Sequence, residues 1–253
     1  MSQRPHIVIQ RYDSLPSTNT EAARQAALGV PEGLCIVARE QTEGRGRRAR
    51  VWVSQADAGL YFSIVLRPRV ETRAWPLITL MAALAVADAL SETCGLETDI
   101  KWPNDIYAGG RKVCGILAET VETELGRGAV VGIGINLKRG AFPPELRDVA
   151  TSVEEELGSA PDLEALLRSL TSSIAQHYDA LHQATGAEEL LREWSRRSSY
   201  AVGMRVRVAL ENETLTGTTR GLASDGALRV ETDAGEIRLV RAGDVTALRP
   251  VKE

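Results

Sequence analysis

The apolar positions of this 253-residue chain follow two different periods. Between Trp75 and Cys94 almost every position is apolar, and Gly95 follows, which predicts a long buried helix with a glycine stop. Val131, Ile133, Ile135 and Leu137 instead alternate with Gly132, Gly134 and Asn136, which predicts a strand with one bulky face and one nearly bare face. Shorter apolar runs at Ile7 to Ile9, Leu34 to Ala38, Leu60 to Leu66, Val113 to Val121 and Ala129 to Leu137 read as strands. Asp99 to Trp102 and Asp105 to Tyr107 are extended pieces around Pro103, and Gly109-Gly110 fits a two-residue hairpin turn. Thr18 and Glu21 have capping-box spacing at the head of an Ala-rich helix that stops at Gly29. Two further helices are expected near 162–182 and 186–196.

The texture changes near residue 198. Met204, Val206, Val208 and Leu210 alternate with arginines, and turn signals follow at Ser224-Asp225-Gly226 and Asp233-Ala234-Gly235. The expectation is a larger α+β unit over 1–197 and a small β-barrel over 198–253. A barrel of that size is marginal alone and should dock on its neighbour.

Composition narrows the class. With 43% hydrophobic and 25% charged residues the chain is an ordinary globular protein. The net charge of −4 argues against a surface that binds polyanions everywhere, so any anion site must be local. Cys35, Cys94 and Cys114 have no CxxC spacing, which fits free thiols in a cytoplasmic, reducing setting. No signal peptide is visible. The apolar stretch Leu77 to Leu90 is short for a bilayer span and contains Asp88, so no membrane role is expected. His6, His177 and His182 are scattered and support neither a triad nor a zinc site.

Four segments can carry chemistry. Residues 39–50 hold five Arg against two Glu, with Gly44 and Gly46 between them. Arginine donors and approachable glycine amides suit a loop closing over polyphosphate, with Trp52 free to stack on a base. The bland alternative is a solvated basic loop. In Lys101-Trp102-Pro103-Asn104-Asp105, strand alternation turns Lys101 away from Ile100 and Trp102. Asn104 and Asp105 then sit at a bend, where they can hold a ribose, a metal or only the turn. Lys112 opens a strand after the hairpin and offers a compact charge to an anion, unless it is an ordinary turn lysine. By simple alternation Cys114 shares its face, and reads as a small buried hydrophobe. The bare face of Gly132, Gly134 and Asn136 suits either a ligand or a helix pressed against the strand.

Taken in order, Ser17-Thr18-Asn19, Glu40-Gln41 with Gly44-Arg45-Gly46-Arg47-Arg48, Lys101 to Asp105, Arg111-Lys112 with Gly115-Ile116-Leu117, and Gly132 to Asn136 resemble biotin protein ligases. The resemblance implies a mixed sheet with flanking helices, like the class II aminoacyl-tRNA synthetase core, and an SH3-like barrel at the C-terminus. It implies ATP, biotin and Mg²⁺ as ligands, biotinoyl-5′-AMP as the intermediate, and a biotin carboxyl carrier protein as the partner. Ser17, Thr18, Asn19, Gln41, Arg45, Gly46, Arg47, Lys112 and Gly115 look like biotin contacts. Arg47, Trp52, Lys101, Asn104, Asp105 and Asn136 look like ATP or adenylate contacts, and Lys112, Arg47 and Lys101 like the catalytic set; metal ligands are left open. Ala49 stands where the family often has glycine, which should stiffen the loop because alanine resists positive φ. The motifs begin near residue 12, so no N-terminal DNA-binding domain and no operator binding are expected. Lipoate–protein ligase or octanoyl transferase is the alternative within the fold, and a non-catalytic nucleic-acid-binding module the alternative outside it. A homodimer is compatible with the sequence, which does not decide it.

Overall fold

The computed structural model describes residues 4–211 and 213–247, so the last six residues of the expected C-terminal unit lie outside the described residues. A seven-stranded mixed sheet runs in the order β1-β2-β3-β7-β6-β5-β4. Its strands are β1 (Val8–Leu15), β2 (Leu34–Gln41), β3 (Gly59–Leu66), β4 (Asp99–Lys101), β5 (Asp105–Ala108), β6 (Arg111–Thr123) and β7 (Gly126–Asn136). β1 and β2 are parallel and joined by helix α1 (Thr18–Ala27). All other neighbours in this sheet are antiparallel.

Strand alternation divides the sheet into two faces. Leu60, Phe62, Ile64 and Leu66 of β3, with Val131, Ile133, Ile135 and Leu137, belong to the main core. That face is covered by α2 (Leu77–Cys94), on which α4 (Leu163–Leu181) and α5 (Gly186–Arg196) pack in turn. By length and composition α2 could cross a bilayer, yet two thirds of it is inside the protein and it is the central core helix. Gly95 ends it in the left-handed conformation, as expected of a glycine stop. The opposite face is covered by α1 through Ala22 and Ala26 on Ile36, Val65 and Val130. Beyond α1 this face carries Trp52 and residues 149–151, and the cavity described below lies on it.

The Gly109-Gly110 hairpin forms with both residues at positive φ, the geometry a two-residue turn demands. The short helix α3 (Val153–Leu157) has no counterpart in the sequence reading. The second sheet is antiparallel, in the order β11-β10-β9-β8-β12. It comprises β8 (Val202–Ala209), β9 (Thr214–Leu222), β10 (Leu228–Thr232), β11 (Ile237–Val240) and β12 (Asp244–Ala247). It packs at the start of α2: the Trp102 indole N–H donates to the Gly226 carbonyl at 3.0 Å, and Gly226 lies against Leu77 and Leu80.

Candidate active site

The floor of the site comes from three glycines. Gly115 of β6 pairs with Gly134 of β7, and Gly132 pairs with Leu117 and Ser63 on either side. A Cβ at Gly132 would stand 2.0 Å from Asn19 Oδ1, and one at Gly134 would stand 2.5 Å from the Trp52 ring. Of the two readings open in the sequence, the helix packed against the strand is what Gly132 shows. The helix presses on Gly132, and Trp52 lies on Gly134.

The N-terminus of α1 forms one wall. Ser17 is the N-cap, so the Thr18/Glu21 capping box does not form. Thr18 turns inward instead, because Gln41 and Ser63 offer it buried partners. Its amide and hydroxyl donate to Gln41 Oε1 at 2.8 and 3.1 Å, and it accepts from Ser63 at 2.7 Å. Asn19 is also fully engaged: Ser63 donates to its oxygen, and its amide donates to Leu117 O and Glu119. Ser17 caps none of the helix amides with its hydroxyl and lines the cavity.

The second wall holds Lys112. A bulge between Ile106 and Tyr107 shifts the β5–β6 register. It breaks the simple alternation, so Lys112 sits beside Gly115, while Cys114 points into the core. Burial pushes the Cys114 thiol far above its ordinary pKa, which removes it as a nucleophile. The Lys112 backbone is fixed by bonds to Val149 O and from Thr151 N, both 2.9 Å. Its ammonium is 2.6 Å from Asp105 and 5.4 Å from the Trp52 ring centre. Asn104 holds the turn: its side chain donates to Ile116 O, and its carbonyl accepts from Ile116 N.

The lid is the arginine segment. Gly44 and Trp52 close it by a 2.9 Å backbone bond, and Arg45 bridges Val51. Arg47 points inward, donating to Asn104 Oδ1 at 3.0 Å and more weakly to Gly243 O. Burial lowers its pKa from the ordinary arginine value, although it stays charged. Arg45 pairs with Glu119, while Arg48 and Arg50 both pair with Asp244 of β12. Ala49 stands at φ 58° and Arg48 at φ 55°, so the alanine does occupy a position that favours glycine.

One cavity of about 120 Å³ gathers Ser17, Thr18, Asn19, Gln41, Arg45, Gly46, Arg47, Trp52, Asn104, Asp105, Lys112 and Gly115. Two expected residues are elsewhere. Lys101 lies on the outermost strand, with β5 between it and Lys112. Its ammonium donates to Tyr107 Oη at 3.0 Å and faces the Tyr200 ring. Asn136 points to the site side of β7 but is buried under residues 149–151, donating to Thr151 O at 2.9 Å. It supports the segment that holds Lys112. The sequence reading missed Arg50 and Asp244 in the cavity wall, and Ser63 and Glu119 behind it. Arg50 lay within the basic run. No local pattern marks Asp244, whose position depends on the docking of the C-terminal sheet.

The cavity over the glycine floor is rimmed by Lys112, Arg45, Arg47 and Arg50 together with Asp105 and Asp244, a lining suited to an anionic ligand. Residues 12–136 match the biotin/lipoate A/B protein ligase family, and residues 202–246 match the biotin protein ligase C-terminal domain. The bifunctional ligase/repressor BirA of Bacillus subtilis is 37% identical over 240 residues, covering 92% of this chain and 72% of that protein. The biotin–[acetyl-CoA-carboxylase] ligase of Paracoccus denitrificans is 35% identical over 241 residues, covering 90% and 96%. Among solved structures, the Aquifex aeolicus biotin protein ligase bound to biotin and ATP has a TM-score of 0.83 at 29% identity, covering 96% of this chain and 99% of that one. The chain belongs to the biotin protein ligase family.

Proposed function

We propose that this chain is an ATP-dependent ligase. It activates biotin as biotinoyl-5′-AMP and transfers the biotinoyl group to a lysine of a biotin carboxyl carrier protein. The observation that carries this reading is that one cavity joins the glycine floor to Lys112 and Arg47. Relatives at 35% identity that share nearly the whole chain are named for this reaction on acetyl-CoA carboxylase, which supports a carboxylase carrier as partner. Free cysteines suit a cytoplasmic setting.

Activation brings two anions together, the biotin carboxylate and the α-phosphate. The carboxylate oxygen attacks phosphorus, and pyrophosphate leaves. Lys112 supplies a fixed charge beside both, and Arg47 supplies a half-buried, directional donor. Ser17, with its hydroxyl free of the helix, is placed for the ring end of biotin. The buried Trp52 indole N–H has no hydrogen-bond partner among the described residues and lies on Gly134, where the adenylate would offer an acceptor. Asp105 and Asp244 are the cavity carboxylates that could hold a Mg²⁺ ion brought with the triphosphate, which would neutralise phosphate charge, since Mg²⁺ commonly takes one or two carboxylates besides phosphate oxygens.

Incubation with biotin, ATP, Mg²⁺ and a carrier domain should add one biotin mass to one carrier lysine. ATP–pyrophosphate exchange should require biotin, and exchange driven by lipoate instead would favour the lipoate reading. Absence of both exchange and mass gain with several authentic carriers would reject it.

A further inference from the structure

Lys112 reaches the cavity from a backbone held by a short, densely bonded segment. Residues 149–151 run beside the start of β6, with Ala150 bridged to Lys112. Thr151 is fully buried and has every polar group committed. Its amide donates to Lys112 O, its carbonyl accepts from Asn136 on β7, and its hydroxyl donates to Glu156 of α3. The Glu156 carboxylate also accepts from Arg111 at 2.8 Å, and a Cβ on Gly109 would stand 2.5 Å from it. Glu155 is a second partner of Arg111 at 3.2 Å. One carboxylate with 17% of its side chain exposed therefore touches the turn before Lys112, the residue preceding it, and the residue bonded to its carbonyl.

We propose that Glu156 is a positioning residue for Lys112, with a kinetic consequence that rests on the ligase reading. Glu156 does not line the cavity and acts through the backbone. A lysine places its charge on a flexible stem, so its ammonium is preorganised only as far as the backbone beneath it is fixed. The β5–β6 ladder does not supply that alone, because its register shifts between Ile106 and Tyr107, opposite this point. Residues 149–151 supply the Lys112 backbone with its partners, and Glu156 fastens them to Arg111. An exposed ion pair in this place would contribute little. Here the carboxylate also satisfies the buried Thr151 hydroxyl, which would be costly to leave unpaired.

Glu156→Ala tests this by two readouts. Amide hydrogen exchange reads the clamp without reference to any reaction. The Lys112 and Thr151 amides should exchange about tenfold faster or more, the equivalent of one lost bond to a charged group, while those of Ile133 and Ile135 in β7 keep their wild-type rates. Single-turnover formation of biotinoyl-AMP should slow by about tenfold or more, up to the 10²-fold that a displaced group can cost, with the Kd values for biotin and ATP unchanged. In a Lys112→Gln background Glu156→Ala should cost nothing further, because both substitutions remove one effect. Glu156→Gln keeps an acceptor oxygen for Thr151. It should show a smaller loss in each readout, and it stands in for the alanine variant if that does not fold. Wild-type amide exchange at Lys112 and Thr151 overturns the proposal. So does faster exchange with adenylation at the wild-type rate, or a loss that adds in full to that of Lys112→Gln, which would make Glu156 a support of the fold at large. Wild-type protein without biotin-dependent ATP–pyrophosphate exchange would reject the ligase reading, and amide exchange would still decide whether Glu156 holds Lys112.

Discussion

The floor of the cavity and its arginine lid meet the same ligand by different means. On the floor, Gly115, Gly132 and Gly134 remove side chains from two paired central strands, and Asn19 and Thr18 are locked by buried hydrogen bonds. Nothing there can be exchanged without disturbing the sheet. The lid is held by ion pairs, Arg45 with Glu119 and Arg48 and Arg50 with Asp244, all partly exposed. Such pairs are worth about 0–1 kcal/mol each and are weakened by salt, so a phosphate can take an arginine from its carboxylate at little cost. The floor is fixed by folding, whereas the arginine segment is held by contacts that a bound anion would compete for.

The sharpest test of this contrast is Lys112→Gln, because Lys112 brings a charge to the rigid side. Its backbone is tied to Val149 and Thr151, so the ammonium is preorganised rather than recruited. Loss of one such group is expected to slow single-turnover formation of biotinoyl-AMP by about 10²–10³-fold. ATP and biotin binding should change much less. Glutamine keeps length and polarity, and the unfolding temperature reports any cost to the now unpaired Asp105. A rate within about threefold of wild type, far short of that loss, would reduce Lys112 to a structural partner of Asp105.

The floor was the more legible region in the sequence. Period-two alternation through Gly132, Gly134 and Asn136 is a local property, and β7 obeys it. The Gly109-Gly110 turn and the Gly95 stop were readable for the same reason. Legibility failed where a local rule met tertiary structure. The bulge at β5–β6 separated Lys112 from Cys114. The edge position of β4 sent Lys101 to Tyr107 and Tyr200 instead of the cavity. Residues 149–151 covered Asn136, and Thr18 gave up its cap for Gln41. The lid announced itself by charge, but its anchor did not, since Arg50 and Asp244 are 194 positions apart.

Arg47→Ala tests the lid side, with an intermediate effect. Its guanidinium bonds Asn104 and the Gly243 carbonyl, and the residue is only half-buried. Losing a charge-assisted bond to bound anion should cost about 1.5–3 kcal/mol of adenylate binding. Biotinoyl-AMP should leave the enzyme faster by the corresponding factor, measured by release of labelled adenylate. The ligand-free protein should unfold near the wild-type temperature. A large fall in that temperature with release unchanged would assign Arg47 to domain docking, and the lid would then be as structural as the floor.

The smallest effect separates the two regions by one methyl group. Ala49 is at φ 58°, in the left-handed region, where a Cβ costs about 1–2 kcal/mol. Ala49→Gly removes that strain and returns part of the gain as unfolded-chain entropy, about 0.5–1 kcal/mol. The net expectation is a stabilisation of about 1 kcal/mol or less, visible as a small rise in the unfolding midpoint without ligand. The opposite exchange on the floor should have the opposite sign. Gly132→Ala places a methyl 2.0 Å from Asn19 Oδ1, so the buried Asn19 must move and its bonds to Ser63, Leu117 and Glu119 are disturbed. Overpacking of that kind costs about 1–3 kcal/mol and should lower both the midpoint and biotin affinity. If Ala49→Gly destabilises the protein instead, the lid is held by its own backbone geometry rather than by exchangeable ion pairs, and the contrast between the two regions fails.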